Sequence, residues 1–253
     1  MIVQLVRKAQ SPLTAALLGA STSAFMLIAF SAHAGGMAPL CGAFSGDALL
    51  ALGRTRWLVF DPLRWAAEWL AMFCAMMLPL LVQPVDHIMR TTLRRRLPRS
   101  LAAFILCYAL AWLPAAALIN VAAAVLRWSV YPAVLAIATL AGALVWSASP
   151  PAQAARNRAH RLMPLEIRGI RADRDCCRFG LVTGSRCAVA CWPWMLLSQT
   201  VYGGAGAGVG AMLAVTAVLV AERAMPPRAP RWQLPRVIGF LVALRPYRDF
   251  GRL

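Results

Sequence analysis

Acidic residues are few in this chain, and charge of either sign is sparse: nine Asp and Glu with 26 Lys and Arg make up 14% of 253 residues. A soluble domain of that length has no need of the long apolar runs that fill the rest. Hydrophobic residues reach 60%, mean hydropathy is +0.64, and several runs approach the roughly 20 residues that cross a bilayer. Also missing are a fixed-period repeat, a low-complexity tail and any linker that would set off a second domain. The glycine-rich run 202–208 has no strand before it and no Gly-Lys-Ser/Thr after it, which excludes a phosphate loop. Gly203, Gly206 and Gly210 suit a tight hairpin and close packing instead. No Ser/His/Asp constellation points to hydrolysis, and there is no ATPase motif.

What is there reads as an all-α, polytopic transmembrane bundle. Apolar runs near 12–34, 64–85, 101–125, 130–148, 179–200 and 205–224 predict six spans. They must be helical, because lipid offers backbone polar groups no other partner. The predicted bundle occupies 1–225, and a basic tail follows over 226–253. A net charge of +17 would suggest nucleic acid in a soluble protein, but its distribution gives a simpler account. Arg7 and Lys8, five arginines within 90–99, seven within 156–178 and seven within 223–252 fall on one side of the six spans; the alternate loops hold only Arg54, Arg56, Arg64 and Arg127. The positive-inside rule then places both termini in the cytoplasm, with anionic headgroups as partners and no nucleic acid. Ala32-His33-Ala34 resembles a signal-peptidase site, yet the apolar run before it is longer than a typical signal core, so a retained first span is expected. The apolar patch 237–244 is too short to span and is expected to lie at the interface.

The fifth run carries the chemistry. Cys187, Cys191 and Met195 are spaced four apart and stack on one helical face beside Gly184. Two thiols and a thioether are soft ligands of the kind that select Cu(I) or a similar transition metal. In the second run Met72 and Met76 share a face, while Met77 and Cys74 point elsewhere. Two facing helices can thus offer Met72, Met76, Cys187, Cys191 and Met195 to one buried point. Pro79 would weaken its helix and free a carbonyl toward the interior. The competing reading is plain packing: Met and Cys are adaptable fillers, and Gly184, Ala188 and Ala190 promote close helix contact without a ligand.

Other polar positions have two readings each. Cys176 and Cys177, with His160 or Asp175, form a second candidate soft-metal group or else a pair of reduced cytosolic thiols, made reactive by Arg174 and Arg178. Cys41 has no evident partner in the chain. Glu222 and Arg186, inside spans, either pair across helices or leave Arg186 to snorkel. Glu68, Asp86 and His87 serve ion passage or are simply solvated span ends.

Three motifs together resemble one bacterial family. They are Trp-x-x-Met-x-x-Ala-Met-Met-x-Pro over 69–79, Gly-x-x-Cys-x-x-x-Cys-Trp-x-x-Met over 184–195 and Glu222-Arg223 closing the last span. Tyr108 and Trp112 add a Tyr-x-x-x-Trp in the third span. The chain is thereby similar, over roughly 65–223, to the domain-of-unknown-function family numbered 2182, predicted metal-binding integral membrane proteins. The resemblance implies metal handling. It also marks departures: Ala190 stands where the family commonly has a third cysteine, and Arg156 and His160 stand where it tends to have a cysteine pair. One ligand is thus absent and another exchanged for imidazole.

These readings converge on a membrane protein that binds or moves a soft metal, with Cu(I) the expected ion and no nucleotide. Cys187 and Cys191 would be thiolate ligands, Met76, Met195 and Met72 thioethers, and Glu222 a charge balancer; His160, Cys176 and Cys177 are accessory candidates. A non-catalytic scaffold that holds other membrane proteins is the alternative. A thiol oxidoreductase ranks last, because the pair is not spaced Cys-x-x-Cys.

Overall fold

The computed structural model describes residues 12–33, 62–167, 169–201 and 204–235, and all regular structure within them is helical. In chain order the elements are α1 (Pro12–His33), α2 (Pro62–Met77), a 3₁₀ turn (Leu78–Leu81), α3 (Val82–Thr91), α4 (Leu97–Ser129), α5 (Pro132–Ala148), α6 (Pro150–Ala159), α7 (Gly169–Thr200) and α8 (Gly204–Ala224). Helices fall where the six apolar runs place them. By length and composition, though, only Trp69–Thr91 and Leu97–Arg127 suffice to cross a membrane among the described residues. Pro132–Ala148 with Pro150–Ala159, bent by 65°, makes a third if taken as one broken span. By this measure two or three of the six expected spans qualify among the described residues. The apolar part of α1, Thr14–Phe30, is short, and Thr183, Arg186, Ser198 and Gln199 dilute α7. That dilution suits the position of α7, which packs against α4, α5, α6 and α8 and is buried along much of its length. Both termini, Cys41 and the patch 237–244 lie outside the described residues.

Proline shapes two of the helices, and in both a neighbour completes the hydrogen bonding. Pro79 has no N–H for the carbonyl four residues back, and the chain tightens there into the 3₁₀ turn. The carbonyl left over belongs to Ala75, and the Ser21 hydroxyl of α1 donates to it at 2.6 Å. Pro193 does the same inside α7, freeing the Val189 carbonyl, which accepts from Trp146 Nε1 of α5 at 2.9 Å. The expected freed carbonyl at Pro79 thus exists and serves as a tie between helices. Buried Trp194 Nε1 also donates, to Ser147 Oγ at 2.8 Å, fixing α7 on α5.

α4 and α7 meet at two glycines. A Cβ at Gly180 would lie 2.4 Å from the Phe104 carbonyl oxygen, and one at Gly184 would lie 2.7 Å from that of Tyr108. Only glycine permits this backbone approach, as small residues do in membrane helix pairs. Cys107 of α4 and Cys177 of α7 are joined by a disulfide at the same interface. Asp173 holds the end of the pair through Arg96 at 3.1 Å and Arg99 at 2.8 Å. Away from α7, α4 exposes Leu106, Leu110, Leu118, Val121 and Val125.

After α8 the chain returns across the bundle end. The Gln233 amide donates to the Ala148 carbonyl, and Asn157 bonds Arg228. The described part of the expected tail, 226–235, is thus docked on α5 and α6.

Candidate metal centre

The α7 stripe survives into the fold with its sulfurs in contact. Cys187 and Cys191 are buried and their Sγ atoms lie 3.7 Å apart. With soft-metal–thiolate bonds of about 2.3 Å, as in zinc sites, that separation sets an S–metal–S angle near 110°. Such an angle leaves coordination space for a further donor. The pair opens onto a cavity of about 30 Å³ lined by Arg156, His160, Arg186, Glu222 and Arg223 among others, enough space for an ion or a water or two.

The bend between α5 and α6 builds this cavity. Ser149 ends α5 in an extended conformation, Pro150 starts α6, and the Arg156 guanidinium reaches back to the Ser147 carbonyl. His160, capping the C-terminus of α6, is thereby brought to the same cavity as the thiols of a helix some thirty residues away in sequence. Arg186 is held by the Arg158 carbonyl at 2.8 Å. Arg223 presents buried Nε and Nη2 donors that have no hydrogen-bond partner. A buried, unspent guanidinium beside two thiols suits an anionic guest or an anionic metal–thiolate unit.

Burial, with the Arg223 charge adding to it, lowers the His160 pKa below its ordinary 6.5. Neutral imidazole is the form that ligates metals. The sign for stability follows: the folded chain favours neutral His160, so this contribution is complete above about pH 6.5 and is lost as pH falls through the lower folded value. In the metal-free protein, His160→Gln is expected to flatten the fall of Tm on the acid side of pH 6.5 and to leave Tm at pH 8 nearly unchanged, as measured by thermal unfolding across pH.

The methionines are placed otherwise than the helical stripe suggests. Met195 is buried one turn beyond Cys191 but lines a different cavity, together with Met72, Met77, Trp69, Phe73 and Trp112. Met76, fully buried, lines neither this cavity nor the one at the cysteines. Met77, expected to point away, is the residue that joins Met72. Tyr108 stands between the two regions: its hydroxyl contacts Met77 Sδ at 3.8 Å, and both it and the Trp112 indole face Cys187.

The second candidate group is not assembled. Cys177 is bonded to Cys107, so it is neither a free thiol nor a ligand. Cys176 is a free, buried thiol whose pKa burial raises, the opposite of the activation expected from Arg174 and Arg178. Asp175 instead accepts the Glu166 amide. At the α3 end, Asp86 pairs with Arg90 at 3.0 Å and His87 bonds the Met163 carbonyl at 2.8 Å, as span-end residues do. Among the described residues, no group of three or more His, Cys, Asp or Glu is gathered for a metal. Sequence reasoning missed Arg223 as the cation facing the thiols, although Glu222-Arg223 was in view as a motif, and it missed Met77 and Tyr108.

A family model described as PpoB2, copper chaperone, matches residues 66–246. It agrees with the resemblance stated above in its coarser part, a metal-handling family, and names copper. No curated protein and no solved structure matches the chain.

Proposed function

The chain belongs to the PpoB2 copper chaperone family, and from that premise we propose that it carries copper as Cu(I) on the Cys187–Cys191 pair, within a membrane-embedded bundle. The observation that carries the reading is the buried thiol pair facing the unspent N–H groups of Arg223. Soft thiolates favour Cu(I) over harder ions. Two thiolates and one Cu(I) carry a net charge of −1, which burial makes costly unless it is balanced. Arg223 and Arg156 balance it, with Glu222 offsetting part of their excess. His160, neutral at physiological pH, lines the same cavity and would become the third donor once its side chain swings toward the thiols. Loading releases the thiol protons, so it strengthens as pH rises.

The membrane part of the reading rests on the apolar stretches Trp69–Thr91 and Leu97–Arg127 and on the exposed apolar face of α4. We place six helices in the bacterial inner membrane, with both termini and the basic segments cytoplasmic. The less apolar α7 is shielded there by its neighbours. The chain is a carrier rather than an enzyme, and other membrane proteins are its partners in delivery.

Copper per chain in protein purified from copper-replete cells tests the reading. Wild type is expected to retain about one tightly held copper and Cys187→Ser/Cys191→Ser almost none. Equal, negligible copper in both defeats it. Wild-type copper retained by the double variant would put the tight site on other residues; the scaffold role is favoured if that variant keeps its cellular function while bulky residues at Gly184 or Ala188 abolish complex formation.

A further inference from the structure

The cavity of Met72, Met77 and Met195 is separate from the cysteine site, and packing alone does not account for it. Methionine is the residue best able to close irregular gaps, yet with Met77 and Met195 buried on its walls about 10 Å³ remains open. That is close to the smallest space a single water or ion occupies and far too little for an organic ligand. Three thioethers from two helices line it, with no carboxylate, imidazole or thiol among them. Such a donor set refuses hard cations, which require oxygen ligands, and accepts soft monovalent ones. Trp69, Phe73 and Trp112 supply much of the remaining wall, with Ala116, Ile119 and the Gln199 amide completing it, and aromatic faces attract a desolvated cation.

Its position gives it a role. Met195 lies about 6 Å along α7 from Cys191, one helical turn. Tyr108, fully buried, lines neither cavity but touches Met77 of one and faces Cys187 of the other, so it stands between them. Trp112 lines the methionine cavity and its indole also faces Cys187. Gln199 marks the methionine cavity as the one toward the α7 C-terminus, and His160 and Glu222 mark the cysteine cavity as the one toward the opposite end of the bundle.

We propose that Met72, Met77 and Met195 form a second binding station for a soft monovalent cation, Cu(I) in the cell, in series with the cysteine pair along α7. It rests on the copper reading above. Neutral thioethers hold the ion more weakly than thiolates, so the methionine station exchanges ions readily and the cysteine station retains them. The ion keeps its oxidation state throughout.

Silver(I), a soft monovalent surrogate that air does not oxidise, provides the test on the purified full chain in detergent. In a background with Cys41, Cys74 and Cys176 changed to Ser, so that no other free thiol competes, Cys187→Ser/Cys191→Ser is expected to bind about one Ag(I) per chain, more weakly than the same background with the pair intact binds its first. Adding Met72→Leu, Met77→Leu and Met195→Leu is expected to abolish that binding; leucine nearly conserves volume, and matched thermal unfolding shows whether the fold is kept. Should the combined variant fail to fold, Met195→Leu alone in the Cys→Ser background is expected to weaken Ag(I) binding about tenfold. The proposal is overturned if the Cys→Ser variant binds no Ag(I), or if the leucine substitutions leave its binding unchanged. If the background with the pair intact binds one ion and the Cys→Ser variant none, the thiol site stands and the methionine station falls. If that background binds none, both fall.

Discussion

The Cys187→Ser/Cys191→Ser variant is expected to bind Cu(I) about four orders of magnitude more weakly than wild type at its tight site. A four-ligand thiolate/imidazole metal site is worth about 10–16 kcal/mol, so each ligand contributes about 3 kcal/mol, and removing two costs about 6 kcal/mol. The single variants separate the contributions. Each leaves one thiolate with His160 and is expected to lose about two orders of magnitude. Arg223→Met asks a different question: it keeps both sulfurs and removes the counter-charge facing them. It is expected to weaken Cu(I) binding while leaving Ag(I) on the methionines untouched. Competition with a Cu(I) chelator measures all four, and equal affinities across the set would defeat the assignment of ligands.

Gly180→Ala/Gly184→Ala is expected to be the most damaging change to the fold. Each new methyl would meet a backbone carbonyl, at 2.4 Å from Phe104 and 2.7 Å from Tyr108. Neither carbonyl can yield without moving all of α4 away from α7. Overpacking costs about 1–3 kcal/mol per site, and a loss of about 3 kcal/mol or more lowers Tm by roughly 6–12 °C in a chain of this size. The displacement also draws Tyr108 away from Cys187 and Met77, so copper retention should fall with stability. Gly142→Ala on α5 is the control: its Cβ meets nothing within 4 Å, and alanine's helix propensity is expected to stabilise by up to about 1 kcal/mol. Equal Tm values for the two variants would show that the close approach is not present in solution.

The helices and the cysteine pair were legible because each depends on local periodicity. Four-residue spacing at helical pitch puts Cys187 over Cys191 whatever surrounds them. The methionines were not, because periodicity shows which residues share a face and not which neighbour covers it. Met72 and Met76 do share a face of α2, yet the cavity with Met195 closes around Met72 and Met77. Which methionine meets Tyr108 depends on how α4 sits beside α2, and no local spacing encodes that. The Cys107–Cys177 bond has the same origin: the residues are 70 positions apart and meet only because the glycines of α7 let α4 approach. Length and hydropathy alone select two or three helices among the described residues for a related reason. Hydropathy tests a helix against lipid, whereas α7 is enclosed mainly by protein. Arg223 was overlooked because a cation at a span end reads as topology until a buried thiol is found opposite it.

The walls of the two cavities differ in one more respect, which makes the molecule its own optical gauge. Trp194 borders the cysteines, while Trp69 and Trp112 border the methionines. A heavy ion seated in either cavity should quench the fluorescence of the indoles beside it. Filling the tight station should dim Trp194 first, and filling the weaker one should then dim Trp69 and Trp112. In a Trp194→Phe chain the first step is expected to shrink to what Trp112, which faces Cys187, contributes, and the second to remain. The order of loading can therefore be followed in unlabelled protein.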